Sequence, residues 1–270
     1  MDRVNWLTIQ ERAKRGHHDA QYKLGIMYCN GDGVPQDYGE GLKWIRMAAE
    51  RKVVDAMCML GLMYSNGTGI ARDYGEGLKW LRMAADHEHA IAQNILGYMH
   101  ADGLGVTQDY VEAVRWYRLA ADQGHVSAQY SLGVMYEFGR GVTQDYVEAV
   151  RRYRIAAEQE HEVAQNNLGG MYAAGLGVTQ DDVEAVRWFR RAAEQGYGDA
   201  QFNMGVMHYL GRGVPQDTVL AHVWFKLAAI TGKESAQDNV NDLETKMTPE
   251  QITESKELAS KMSSTTTKGK

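Results

Sequence analysis

Glycines spaced G-x-G, a recurring methionine, paired basic residues and grouped histidines are the positions in this chain whose types invite a chemical reading. The glycine pairs Gly31/Gly33, Gly67/Gly69, Gly103/Gly105, Gly139/Gly141, Gly175/Gly177 and Gly211/Gly213 suggest a phosphate cradle. They lack the third glycine of G-x-G-x-x-G, and no strand-like run precedes them. Six like copies read instead as turns between helices. Met27, Met63, Met99, Met135, Met171 and Met207 could serve metal or redox chemistry. Their spacing places them on an apolar helical face, where methionine fills irregular gaps. The pairs Lys43/Arg46, Lys79/Arg82, Arg115/Arg118, Arg151/Arg154 and Arg187/Arg190 resemble a nucleic-acid stripe. Acids flank each pair at helical spacing, as Glu112 does Arg115 and Asp122 does Arg118, so the face reads as ion-paired and solvated. The formal net charge of −6 also argues against general binding to phosphates.

His17 and His18, and His87 and His89, fall at junctions in the chain, while His100 and His208 replace a recurrent tyrosine. No acid or thiol converges on them in sequence, so no metal and no cofactor is expected. Cys29 and Cys58 lie on neighbouring predicted helices with an offset of ~10 Å, from 1.5 Å per residue. That separation is too long for a disulfide. Nothing resembles a nucleophile elbow, a zinc motif or an isolated carboxylate pair, so no catalytic residue is assigned.

These residues recur because the chain itself recurs. From Asp19 to Glu234 six gapless units of 36 residues follow one another: 19–54, 55–90, 91–126, 127–162, 163–198 and 199–234. Each reads as two helices. The first is apolar at places 2, 6, 9 and 10, one helical face, and the G-x-G pair closes it. The second opens on Asp-x-x-Glu, as at Asp145 and Glu148, a capping-box-like start. It carries Tyr146, Ala149, Val150, Tyr153, Ala156 and Ala157 toward the core. A tryptophan recurs at Trp44, Trp80, Trp116, Trp188 and Trp224, with Arg152 in its place in the fourth repeat. A short helix pair cannot bury its face alone, so the repeats must stack into an all-α solenoid.

The ends differ, as solenoid caps do. A lone capping helix is expected within 1–18, and capping helices within 235–262. The last of these starts at Thr248-Pro249-Glu250-Gln251, with an N-cap, a proline at the first helical position and a glutamine at N3. Residues 263–270, rich in Ser, Thr and Lys, read as a disordered tail. No apolar run approaches the ~20 residues of a membrane span, and no signal peptide is visible. A complete chain would then be cytoplasmic; removal of a signal peptide would make it secreted or periplasmic. A monomer is the expected state.

The pattern Ala128, Leu132, Gly133, Tyr136, Gly139, Gly141, Val142, Asp145, Ala149, Ala156 and Ala157 resembles the Sel-one-like repeat (SLR) family, related to tetratricopeptide repeats. The resemblance implies a right-handed α/α superhelix with first helices lining its concave side. It also implies an adaptor or scaffold that binds a protein or peptide. Disulfide-laced family members pair cysteines within each repeat, and this chain lacks that pattern.

Places 4, 8 and 11 of each first helix lie opposite the core positions, and they vary from repeat to repeat. The candidate partner-binding groove is therefore Tyr22, Ile26, Leu62, Asn94, Tyr98, Tyr130, Val134, Glu137, Asn166, Phe202, Val206 and Tyr209. Aromatic rings off the core face are favoured anchors. The side-chain amides of Asn94, Asn166 and Asn203 could hold a peptide backbone. Two alternatives stand beside this reading. Places 4 and 8 could simply pack on the next first helix, and the groove could hold the site of a ligand-binding protein or a cell-wall or peptide hydrolase. A structural spacer within a larger complex is a third.

Overall fold

A computed structural model describes residues 3–266, with side chains described from 8 to 263. Fifteen helices are found among them and no strand. They are α1 Arg3–Lys14, α2 His18–Asn30, α3 Tyr38–Glu50, α4 Val54–Asn66, α5 Tyr74–Asp86, α6 Ala90–Asp102, α7 Tyr110–Asp122 and α8 Val126–Phe138. Then come α9 Tyr146–Glu158, α10 Glu162–Ala174, α11 Asp182–Glu194, α12 Gly198–Leu210, α13 Thr218–Ile230, α14 Glu234–Glu244 and α15 Pro249–Thr266. The helices form two compact bodies, one of residues 1–128 and 140–142, the other of 129–139 and 143–270.

Each of α2, α4, α6, α10 and α12 ends on the first glycine of a G-x-G pair in the left-handed region, as at Gly103, φ 71°. The second glycine has a separate reason. Gly105, also at positive φ, lies so close to Tyr74 of the preceding repeat that a Cβ would collide with that side chain. The turn therefore closes one helix and docks on the neighbouring repeat at once.

The second helices start as expected, with a difference. Asp145 Oδ1 accepts hydrogen bonds from the Val147 and Glu148 amides. The cap's own amide donates to the Tyr136 carbonyl at the end of the first helix. Glu148 is thus not called back to the cap and bonds forward to Arg151 and Arg152. At α13, where the glutamate is Leu220, Asp217 still accepts from the Leu220 amide. The full reciprocal box occurs at α15: the Thr248 amide donates to Gln251 Oε1, and the Gln251 amide to Thr248 Oγ1.

The core of each repeat joins the small face of its first helix to the second. A Cβ added to Gly133 would lie 2.5 Å from the Tyr153 ring. Glycine there lets the ring lie on bare backbone, and Gly97 receives Tyr117 in the same way. The methionine column is buried, as are the alanine pairs apart from Ala229, which is half-buried. Trp116, Trp188 and Trp224 are buried, while Trp44 and Trp80 are only half-buried. Arg152 takes the tryptophan's place with its head satisfied by Glu148 and by Gln129 Oε1. Buried glutamines fasten repeat to repeat: Gln93 Nε2 donates to the Ala85 carbonyl and Gln165 Nε2 to that of Ala157.

At the C-terminal end, α14, α15 and the turn between them cover α13 with Val240, Leu243, Met247 and Ala259. The last helix continues to Thr266, so Ser263–Thr266 do not begin a tail. The rest of the expected tail, 267–270, lies outside the described residues. Among the described residues no helix is long and apolar enough to cross a membrane.

Candidate functional site

The first-helix stripe contains both exposed and packed residues. In the N-terminal body, Tyr22 and Ile26 are half-buried against the cluster built on α3 and α4. Burial, and then the charge of Asp55, raises the Tyr22 phenol's pKa. Leu62 lines a cleft of about 490 Å³ with Cys29, Met59, Met63 and the polar side chains of Asn30, Gln36 and Asn66. Asn94 is half-buried, and its side-chain oxygen is buried with no hydrogen-bond partner among the described groups. Tyr98 stands out from the helix, 51% exposed, and Asp102 one turn on raises the pKa of its hydroxyl.

In the C-terminal body the stripe is more densely connected. Tyr130 stacks on His161 at 4.8 Å between ring centroids, and tilts against Tyr153 at 5.8 Å. The Tyr153 hydroxyl donates to Glu137 Oε2, 2.5 Å away. Asn203 Nδ2 donates to Asn166 Oδ1 at 2.9 Å. Phe202 packs on Phe225, and with Val206 it lies against the cluster of α13 and the C-terminal cap. Val134 is half-buried, and Tyr209 is 38% exposed. Most places 4 and 8 thus pack sideways as well as facing outward; Tyr98 and Tyr209 are the exposed rings of the stripe.

Three residues beside Tyr130 belong to the same arrangement although the sequence did not single them out. His161 Nδ1 accepts from the Ala164 amide, which makes this histidine an N-cap. His89 and His125 cap α6 and α8 alike, so the recurrence of histidine at this place was the signal. Tyr197 donates to Asp199, and burial followed by that acid raises its pKa to about 12. Asp199 in turn pairs with Lys233 at 2.5 Å. Tyr153 carried no such signal, because its place reads as core in every repeat: Ile45, Leu81, Tyr117, Phe189 and Phe225.

The outer face is ion-paired. Lys43, Lys79, Arg115, Arg151 and Arg187 each pair with the glutamate three residues earlier. Their companions differ from expectation, since Arg46 and Arg154 donate to the hydroxyls of Tyr64 and Tyr172 in the next repeat. Both cysteines are buried and free. Among the described residues no three His, Cys, Asp or Glu side chains converge as metal ligands would.

The Sel1 repeat pattern matches residues 18–53, 54–89, 90–125, 126–161, 163–197 and 198–230. The chain is similar to a protective antigen of uropathogenic Escherichia coli strains displaying an SLR fold. Identity is 39% and TM-score 0.82, over 87% of this chain and 50% of that one. This chain therefore spans about half the length of that relative. It is also similar to a Sel1 repeat protein from Oxalobacter formigenes, at 36% identity and TM-score 0.75, over 79% of this chain and 88% of that one. An immunity protein from Pseudomonas aeruginosa shares the fold at 22% identity and TM-score 0.53, over 81% of this chain and 83% of that one. None of the curated proteins compared matches.

Proposed function

We propose, from the premise that this chain belongs to the Sel1 repeat family, that it is a non-catalytic scaffold whose first-helix face holds a peptide or protein segment. Sel1 repeat proteins are commonly protein-interaction scaffolds. The observation that carries the reading is the exposure of Tyr98 and Tyr209 on first helices, away from the core, at places that vary between repeats. A tyrosine presents a large rigid ring at low conformational cost, which makes it an effective anchor. Asn94, one turn before Tyr98 on the same helix, has a side-chain oxygen with no hydrogen-bond partner among the described groups. The groove residues Tyr22, Ile26, Leu62, Val134, Phe202 and Val206 act in this reading as the apolar floor.

The test starts from a displayed library of random peptides selected on the intact chain. A photo-reactive phenylalanine is then placed at Tyr98, at Tyr209, or on the second helices at Val111 or Val183, both 67% exposed. Crosslinking of the selected peptide from Tyr98 or Tyr209 is the expected result. Crosslinking from Val111 or Val183 alone overturns the assignment of the face.

A further inference from the structure

Glu137 is the one charged residue among the eighteen at places 4, 8 and 11 of the six first helices. It is half-buried, and no cation pairs with it among the described residues. Arg140, three residues along the chain, lies over the Tyr110 ring. Arg152 bonds Glu148 and Gln129, and Lys233 pairs with Asp199. His161 supplies no charge: its Nδ1 accepts from an amide, and burial lowers its pKa. Withdrawing a carboxylate from water without a counter-charge is costly. The surroundings carry further negative potential. Glu162 lies close enough to Tyr197 to raise its pKa.

The fold does not require this arrangement. Phe189 and Phe225 fill the place of Tyr153 in the next two repeats and pack on Gly169 and Gly205 without a hydroxyl. Cys29, Ser65, Ala101, Ala173 and Tyr209 fill the place of Glu137. A carboxylate held by a phenol at this one place is therefore a local feature of the fourth repeat.

We propose that the Glu137 carboxylate, held in place by the Tyr153 hydroxyl, seats the cationic head of one arginine or lysine side chain on the segment bound along the first-helix face. The inference rests on the reading of that face as the binding face. The segment's charged head supplies the missing counter-ion, so the seat selects for a basic residue and against an acidic one.

The experiment repeats the peptide selection on the intact chain and on Glu137→Gln, which keeps an oxygen acceptor for the Tyr153 hydroxyl. Peptides selected on the parent are expected to share an arginine or lysine. Replacing that residue by glutamine, or Glu137 by glutamine, should each weaken binding at least about tenfold. Making both changes should cost little more than either, the signature of a direct pair. Equal melting temperatures of the two proteins confirm that the variant is folded. Selected peptides that crosslink from Tyr98 or Tyr209 but share no basic residue, or that bind Glu137→Gln equally well, overturn this inference and leave the binding face standing. Peptides that crosslink only from the second helices, or a selection that enriches nothing, overturn both.

Discussion

Substituting Gly133 and Gly170 by alanine should move stability in opposite directions. At Gly133 a Cβ meets the Tyr153 ring at 2.5 Å, so Gly133→Ala should cost about 1–3 kcal/mol by overpacking. At Gly170, in α10, a Cβ meets nothing within 4 Å, so Gly170→Ala should gain about 0.5–1 kcal/mol. Urea denaturation of both variants checks the pair; a loss at Gly170 would contradict the account of why one glycine recurs and the other does not. The recurrence of Gly133 and its equivalents was plain in the sequence. Its cause was not, because the ring that needs the space lies twenty residues away on another helix. Glu148 offers a second test. The guanidinium of Arg151, with Arg152 adding to it, holds its pKa near 2 instead of the usual 4.5. A depressed carboxylate stabilises the fold above its unfolded pKa and loses that contribution as pH falls toward the folded value. Glu148→Gln should therefore flatten the dependence of stability on pH between about 4.5 and 2; an unchanged acid profile would show that the two arginines contribute nothing there.

Among the elements, the second helices depend on caps and on one large ring. Asp145→Ala removes an acceptor for two amides and should cost about 1 kcal/mol. Trp116→Ala empties a buried site, 8% exposed, and should cost about 3–5 kcal/mol. Trp80→Ala, at a half-buried site, should cost less. Equal losses at the two tryptophans, read by chemical denaturation, would contradict the difference in burial. Helix periods, the left-handed glycine turns and the Thr248 box were legible because each depends on residues within a turn or two. The reciprocal box at Asp-x-x-Glu was misread for a tertiary reason. The cap's amide already has a carbonyl from the preceding helix, so the glutamate is released to the arginines. The buried glutamines escaped notice because polar residues at core places look like errors until their carbonyl partners on the neighbouring repeat are known.

At the scale of the whole molecule, the six repeats were legible from periodicity alone, whereas the candidate binding face was legible only as a stripe. At places 4, 8 and 11 sequence could not separate Tyr98, which stands in solvent, from Cys29 and Cys58, which are buried in the core, or from Phe202, which packs on Phe225 and the cap. That distinction depends on what the following repeat presents. The C-terminal cap also has a pH dependence. His222 is fully buried on α13 beneath α14 and α15, where it faces Glu244 at 3.4 Å, with Lys226 and Lys256 near. Burial lowers its pKa, so its contribution is complete above the usual 6.5 and is lost as pH falls below it. His222→Gln should reduce the loss of stability between neutral and mildly acid pH, followed by thermal melting; an unchanged profile would show that the ring takes a proton in place without cost. The central claim, that the first-helix face binds and the ion-paired outer face does not, is tested most directly by calorimetric titration of a library-selected peptide into three proteins. These are the parent, Tyr98→Ala with Tyr209→Ala, and Arg115→Ala with Arg187→Ala. The tyrosine pair should weaken binding more than about tenfold, or 1.4 kcal/mol, with circular dichroism unchanged, and the arginine pair should bind as the parent does. Loss of binding in the arginine pair, with the tyrosine pair unaffected, would contradict it.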